Sequence, residues 1–154
     1  MNLPVISSQI VRLSLASAVV YLVAFANIAS AGDVEALYEA AGDGDSNRVS
    51  ALLDGGVDVN AATGSGSYAL NRAAVENEVE VMKILLERGA NPNVQNSQGD
   101  TPLICATKFA GGKSATVKLL VEAGTDLSIQ DDKGKTALDY AKAKEQHDAI
   151  VLLE

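Results

Sequence analysis

The sequence predicts an all-α fold, a solenoid of four stacked helix-turn-helix units running from about residue 33 to residue 154. Two observations carry that prediction. "SALLDGGVDVNA" (50–61), "KILLERGANPNV" (83–94) and "KLLVEAGTDLSI" (118–129) align on Gly56, Gly89 and Gly124, spaced by 33 and 35 residues. "GSYALNRAA" (66–74), "GDTPLICAT" (99–107) and "GKTALDYAK" (134–142) align on Leu70, Leu103 and Leu138, with the same two spacings. Chance does not hold two independent motifs in step over this length, and self-similarity at such a period marks a repeat architecture. A third observation, charge, limits function. Beyond residue 31 the chain has 11 basic and 20 acidic residues, a net charge of −9. Nucleic acid and anionic lipid both require clustered Lys and Arg, so neither is an expected partner.

The segment before the repeats reads differently. Residues 1–31 contain no Asp or Glu and one basic residue, Arg12, followed by the apolar run "LSLASAVVYLVAFANIASA" (13–31). It ends in Ala29-Ser30-Ala31, the small-residue pattern of a signal-peptidase site. The expectation is a secretory signal peptide over 1–31, cleaved after Ala31, and hence a periplasmic or secreted protein. An uncleaved membrane anchor is the alternative, since the run nearly reaches spanning length; Asn27 speaks against it. Cys105 is the sole cysteine, so no intrachain disulfide can form, and stability must come from packing.

The units follow in order, at about 33–62, 63–95, 96–130 and 131–154. In the first, Leu37 of "ALYEAA" continues the leucine register back by 33 residues. In the second, Val81, Met82, Leu85 and Leu86 form a 3.6-period stripe, and Gly89 suits the left-handed position that ends the helix. The third opens with Thr101, a capping residue, and Pro102, which costs nothing at the first helical position. Leu103, Ala106 and Thr107 then share one face. "GANPNVQNSQGD" (89–100) reads as a polar, protruding loop. The fourth stops at "IVLLE", which predicts a short second helix acting as a cap. A single helix pair cannot bury its own stripe, so stacking must supply the core.

At Gly99-Asp100-Thr101-Pro102-Leu103 and Leu85-Leu86-Glu87-Arg88-Gly89-Ala90-Asn91 the chain resembles the ankyrin-repeat proteins, in a small, exported, bacterial type. The resemblance implies short β-hairpin loops between units and a non-enzymatic role in protein binding. It also implies a concave surface made by hairpin tips and inner helices. Mapped here, its variable positions are Gly64, Ser65, Ser67, Val75 and Glu76, then Ser97, Gln98, Asp100, Lys108 and Phe109, then Asp132, Lys133 and Lys135. Phe109 is the expected anchor, because aromatic residues dominate binding hot spots; packing beneath the adjacent turn is its alternative. The sequence also departs from the family pattern. Tyr38, Asn71, Ile104 and Asp139 stand where the family often has His, so its Thr–His hydrogen-bond network is absent or changed.

Several residues invite chemical readings that their surroundings do not support. Gly112-Lys113-Ser114 imitates the tail of a phosphate loop, but that motif needs a glycine five residues earlier and a preceding strand. Thr107 occupies the first position and a helical pattern the second. The two residues by which the third unit exceeds the second fall in this turn. "GGK" is therefore expected to be a spacer, with Ser114 capping the next helix. His147, the lone histidine, has neither the partners of a triad nor those of a zinc site, and reads as a solvated residue on the last turn. Cys105 reads as a small, semi-buried residue, with a redox role as the alternative. Asp131-Asp132 and "GDGD" (42–45) lack calcium-loop spacing and read as solvated turns.

The expectation is thus a monomeric, cofactor-free, metal-free module that binds a partner protein. An adaptor or inhibitor, including an immunity protein against a toxin, is the leading reading. Envelope protection against oxidative stress, alongside a peroxide-defence enzyme, is the other.

Overall fold

A computed structural model describes residues 30–154. Among these residues eight helices form four consecutive pairs: α1 (Ala31–Asp43) with α2 (Ser46–Asp54), α3 (Ala69–Glu76) with α4 (Val79–Glu87), α5 (Pro102–Lys108) with α6 (Ser114–Glu122), and α7 (Ala137–Ala143) with α8 (His147–Leu153). No helix among them is long and apolar enough to cross a membrane. The predicted leader lies almost wholly in residues 1–29, outside the described residues. Its expected cleavage point, between Ala31 and Gly32, falls within the first turn of α1, where the Asp33 carboxylate accepts from the Ser30 N–H (2.8 Å) and hydroxyl (3.0 Å).

Inner helices α1, α3, α5 and α7 stack on one another in order, and outer helices α2, α4, α6 and α8 form a second row. Composition explains the closeness of the inner row. Ala40, Ala41, Ala73, Ala74, Ala106 and Ala141 are all fully buried, and a methyl side chain is what lets neighbouring backbones approach. Leu37, Leu70 and Leu103 project between these layers at 1–2% exposure, as their shared register requires. The predicted stripe of α4 is also buried at Val81, Met82 and Leu85, while Leu86 is half-buried against the core. Gly89 takes φ +87° just past α4.

Local chemistry sets the helix starts. Thr101 Oγ1 accepts from the Ile104 N–H at 3.2 Å, with Pro102 opening α5. Ser114 does not cap α6, contrary to expectation. It is the first helical residue, the cap position falls on Lys113, and no side chain supplies a bond there.

At the loop tips no strand forms among the described residues. Each tip is a tight turn closed by two backbone bonds at equivalent places: Thr63 N–H to Ser67 O with Gly66 N–H to Thr63 O, Asn96 N–H to Asp100 O with Gly99 N–H to Asn96 O, and Asp131 N–H to Lys135 O with Gly134 N–H to Asp131 O. Three different side chains do the same work inside these turns. Thr63 Oγ1 accepts from Ser67, Asn96 Oδ1 from Gln98 and Asp100, and Asp131 Oδ1 from Lys133 and Lys135. Successive tips are joined by Ser97 N–H to Gly66 O and Asp132 N–H to Gln98 O, each at 3.1 Å. Asn60 and Asn93 tie the loops together by accepting from the Asn91 and Asp126 N–H groups one unit later.

Candidate functional site

The inner helices end on a row of equivalent positions, one per unit: Asp43, Glu76, Phe109 and Lys144, all exposed. The tips of the last three units lie along the start of the same helices. Of the residues predicted to bind, Ser65, Glu76, Ser97, Gln98, Phe109, Lys133 and Lys135 are exposed, as are Gly64 and Asp132. Ser67 is half-buried, within a hydroxyl cluster in which Thr63 and Ser65 lie 2.9 Å apart. Glu76 is paired with Arg72 at 3.0 Å, and Arg72 lies over the Tyr38 ring. Phe109 is 54% exposed, one of only three large apolar side chains so exposed among the described residues.

Three predicted positions are not free surface. Asp100 is completely buried, and Lys108, with 14% of its side chain exposed, holds it at 2.8 and 2.9 Å. Lys108 also reaches Asp131 at 3.5 Å, and the Asp131 side chain is 1% exposed. Val75 packs against the core. The expectation that Asp100 and Lys108 vary freely is therefore overturned, as is that of a solvated turn at Asp131. Stacking the fourth unit on the third covers both carboxylates, and a buried carboxylate requires a cation and hydrogen-bond donors.

The Asp131 environment shows that balance. Desolvation pushes its carboxyl upward, but the Tyr140 hydroxyl (2.6 Å), the Lys135 and Lys133 N–H groups and Lys108 together pull it down to about 2. Lys108 is likewise driven above the ordinary lysine range: burial opposes its charge, and the bond to Asp100 outweighs burial with help from Tyr140 and Asp131. The ammonium group lies 5.4 Å from the Phe109 ring centre and 5.2 Å from that of Tyr140, and Lys135 covers Tyr140 at 5.6 Å. Lys144 donates to the Lys108 carbonyl. Sequence reasoning missed Tyr140, Asp131 and Lys144. The available signal was alignment: Asp131 occupies the turn position of Thr63 and Asn96, and Lys144 that of Phe109.

The other apparent sites also resolve. Cys105 is 1% exposed rather than semi-buried, and burial pushes its thiol up to about 12, despite a weak contact from Asn71 at 3.6 Å. A thiol held this far from ionisation is poorly suited to oxidant sensing, because the thiolate is the reactive form. Asn71 donates to the buried Asp100 carbonyl at 2.8 Å, so the hydrogen bonding at the family's histidine position is changed rather than lost. The Gly111–Lys113 segment is a turn between α5 and α6. Both glycines have positive φ, +74° and +61°, and Gly112 is buried against Gln146 and Ala149. A helix precedes it where a phosphate loop has a strand. An open, polar cavity of about 630 Å³ lies there, bounded also by Asn77 and His147, at the opposite ends of the helices from the tips. His147 begins α8 and is exposed. No cluster of three or more metal-ligating side chains occurs among the described residues.

Comparison with known proteins agrees with this architecture. The family described as "Ankyrin repeats (3 copies)" matches residues 10–96 and 89–154. The chain is 34% identical over 73 residues to "Ankyrin repeat-containing protein P1E11.10" of Schizosaccharomyces pombe, covering 47% of this chain and 35% of that protein. It is 37% identical over 79 residues to "Transient receptor potential cation channel subfamily A member 1 homolog" of Caenorhabditis elegans, covering 51% and 6%. With "Neurogenic locus notch homolog protein 1" of Homo sapiens it shares 42% identity over 55 residues, covering 36% and 2%. The chain thus spans about a third or less of the length of these relatives.

Proposed function

Because the chain belongs to the ankyrin-repeat family, a fold that mediates protein–protein interaction, we propose that it is an exported, non-catalytic module that binds one partner protein through its groove. Export rests on the sequence of residues 1–31, with its A-x-A end. An adaptor or inhibitor of a folded envelope or secreted protein, an immunity protein among them, is the role that fits.

The observation that carries the reading is Phe109. A phenylalanine 54% exposed at the end of an inner helix gains by being covered, at roughly 25 cal/mol per Å² of apolar area. It caps the end of α5 beside Lys108, whose ammonium group lies 5.4 Å from its ring centre. Buried Cys105 argues against the oxidative-stress reading.

The test is capture of partners from an envelope extract, with wild type compared against a Gln98→Ala/Phe109→Ala/Lys133→Ala variant. Affinity should fall at least tenfold, about 1.4 kcal/mol, with helical content by circular dichroism unchanged. Retention of binding by that variant, together with its loss on Lys83→Ala or Lys118→Ala of the outer helices, would assign function to the convex side.

A further inference from the structure

We infer that the groove reads charge order: it takes an extended polypeptide segment with a cationic residue over the first two units, an apolar side chain on Phe109 and an anionic residue over the fourth unit. The inference rests on the groove reading above and adds the chemistry of the partner. Its basis is the row Asp43, Glu76, Phe109, Lys144, in which equivalent positions step from acid through aromatic to base. The tips add Lys133 and Lys135, next to Asp132, where the second unit has the neutral Ser65 and Ser67.

Burial sharpens the contrast at the basic end. The carboxylates of Asp100 and Asp131 lie beneath the surface, 0% and 1% exposed, and both are occupied by Lys108. Lys135, before α7, and Lys144, at its end, are exposed, with no carboxylate within ion-pair distance among the described residues. Asp139, an exposed acid at the start of α7, is engaged by the Thr136 N–H and hydroxyl, both at 2.8 Å. This end therefore presents exposed Lys133, Lys135 and Lys144, with exposed Asp132 and Glu145 beside them. At the other end Asp43 is exposed and joins no ion pair among the described residues, and Glu76 shares its charge with Arg72.

The stack also sets the spacing of the ligand. Packed helices lie about 8–10 Å apart, and an extended chain advances about 3.3 Å per residue, so each unit is matched by about three residues. From Asp43 to Phe109 is two units, about six residues; from Phe109 to Lys144 is one unit, about three. The ligand pattern is thus a base, an apolar residue about six positions away and an acid about three beyond it.

The probes are fluorescein-labelled peptides carrying paired lysines, a tyrosine six residues on and paired glutamates three further, in a Gly/Ser background. They are made in both chain directions, with control peptides in which lysines and glutamates are exchanged. Fluorescence polarisation at low ionic strength should show the ordered peptide in one direction binding at least tenfold tighter than its exchanged control. The difference should shrink as salt shortens the range of these exposed charges. An Asp43→Lys/Lys144→Glu variant should reverse the preference. Equal binding of ordered and exchanged peptides, or none by either, overturns the inference. Phe109→Ala separates the two levels. If it weakens both peptides equally while charge order has no effect, the groove stands and its charge reading falls. If it too has no effect, both fall.

Discussion

Replacing Lys108 by methionine tests the account of the third and fourth units most directly. Methionine keeps the length and apolar stem but removes the ammonium group that contacts Asp100 at 2.8 and 2.9 Å and Asp131 at 3.5 Å. Asp100, whose side chain has no exposure, would be left as a buried charge with no cation. Breaking a buried pair by removing one partner costs about 3–5 kcal/mol. At about 4 °C per kcal/mol for a domain of this size, the melting temperature by circular dichroism should fall by about 10–20 °C. Adding Asp100→Asn should recover part of that loss, because the double variant no longer buries an unpaired carboxylate. Acid titration supplies a second reading. The folded Asp131 carboxyl is held at about 2 against an ordinary 3.8, so its stabilisation is present above the unfolded value and disappears as pH falls from about 4 towards 2. The difference corresponds to about 2 kcal/mol. Tyr140→Phe removes the strongest of the bonds that lower that value and should shrink this acid step. A Lys108→Met protein that melts within 2–3 °C of wild type, on the scale of an exposed ion pair, would refute the claim that stacking buries the pair.

Three further outcomes are expected. Gly112→Ala should lower stability by about 1–3 kcal/mol in denaturant titration, since its φ is +61° and an added Cβ would meet Gln146 and Ala149; Lys113→Ala should be neutral, and calorimetry with ATP and magnesium should show no binding. The Cys105 thiol, raised to about 12 by burial, should fail to react with an aromatic disulfide reagent at pH 8 until denaturant is added; prompt reaction in the native state would revive a redox role. Protein isolated from its producing cell should have an intact mass beginning at Gly32, and a full-length species would refute cleavage.

Sequence alone was sufficient for what repeats. The register of Leu37, Leu70, Leu103 and Leu138, the positive-φ glycines after the outer helices and Pro102 at a helix start are local or periodic signals, and each constrains backbone or burial within a single unit. Phe109 was legible as a candidate because an aromatic residue broke the polar pattern at its position. The loop tips turn back without forming strands among the described residues: two backbone bonds close each turn, and Thr63, Asn96 and Asp131 side chains accept further N–H groups. Only the tertiary structure decided the fate of Asp100, Lys108 and Asp131. Along the chain they read as ordinary solvated charges near a turn, and nothing in a window of one unit distinguishes them from Lys133 or Asp132. Their burial comes from the fourth unit stacking on the third, where Lys108 pairs with Asp100 of its own unit and reaches Asp131 across the interface. The same holds for Cys105 and Asn71, whose surroundings belong to neighbouring units. A solenoid repeats its backbone instructions within each unit, but part of its buried polar chemistry is written between units, where Lys108 meets Asp131 and Asn71 meets Asp100 and Cys105.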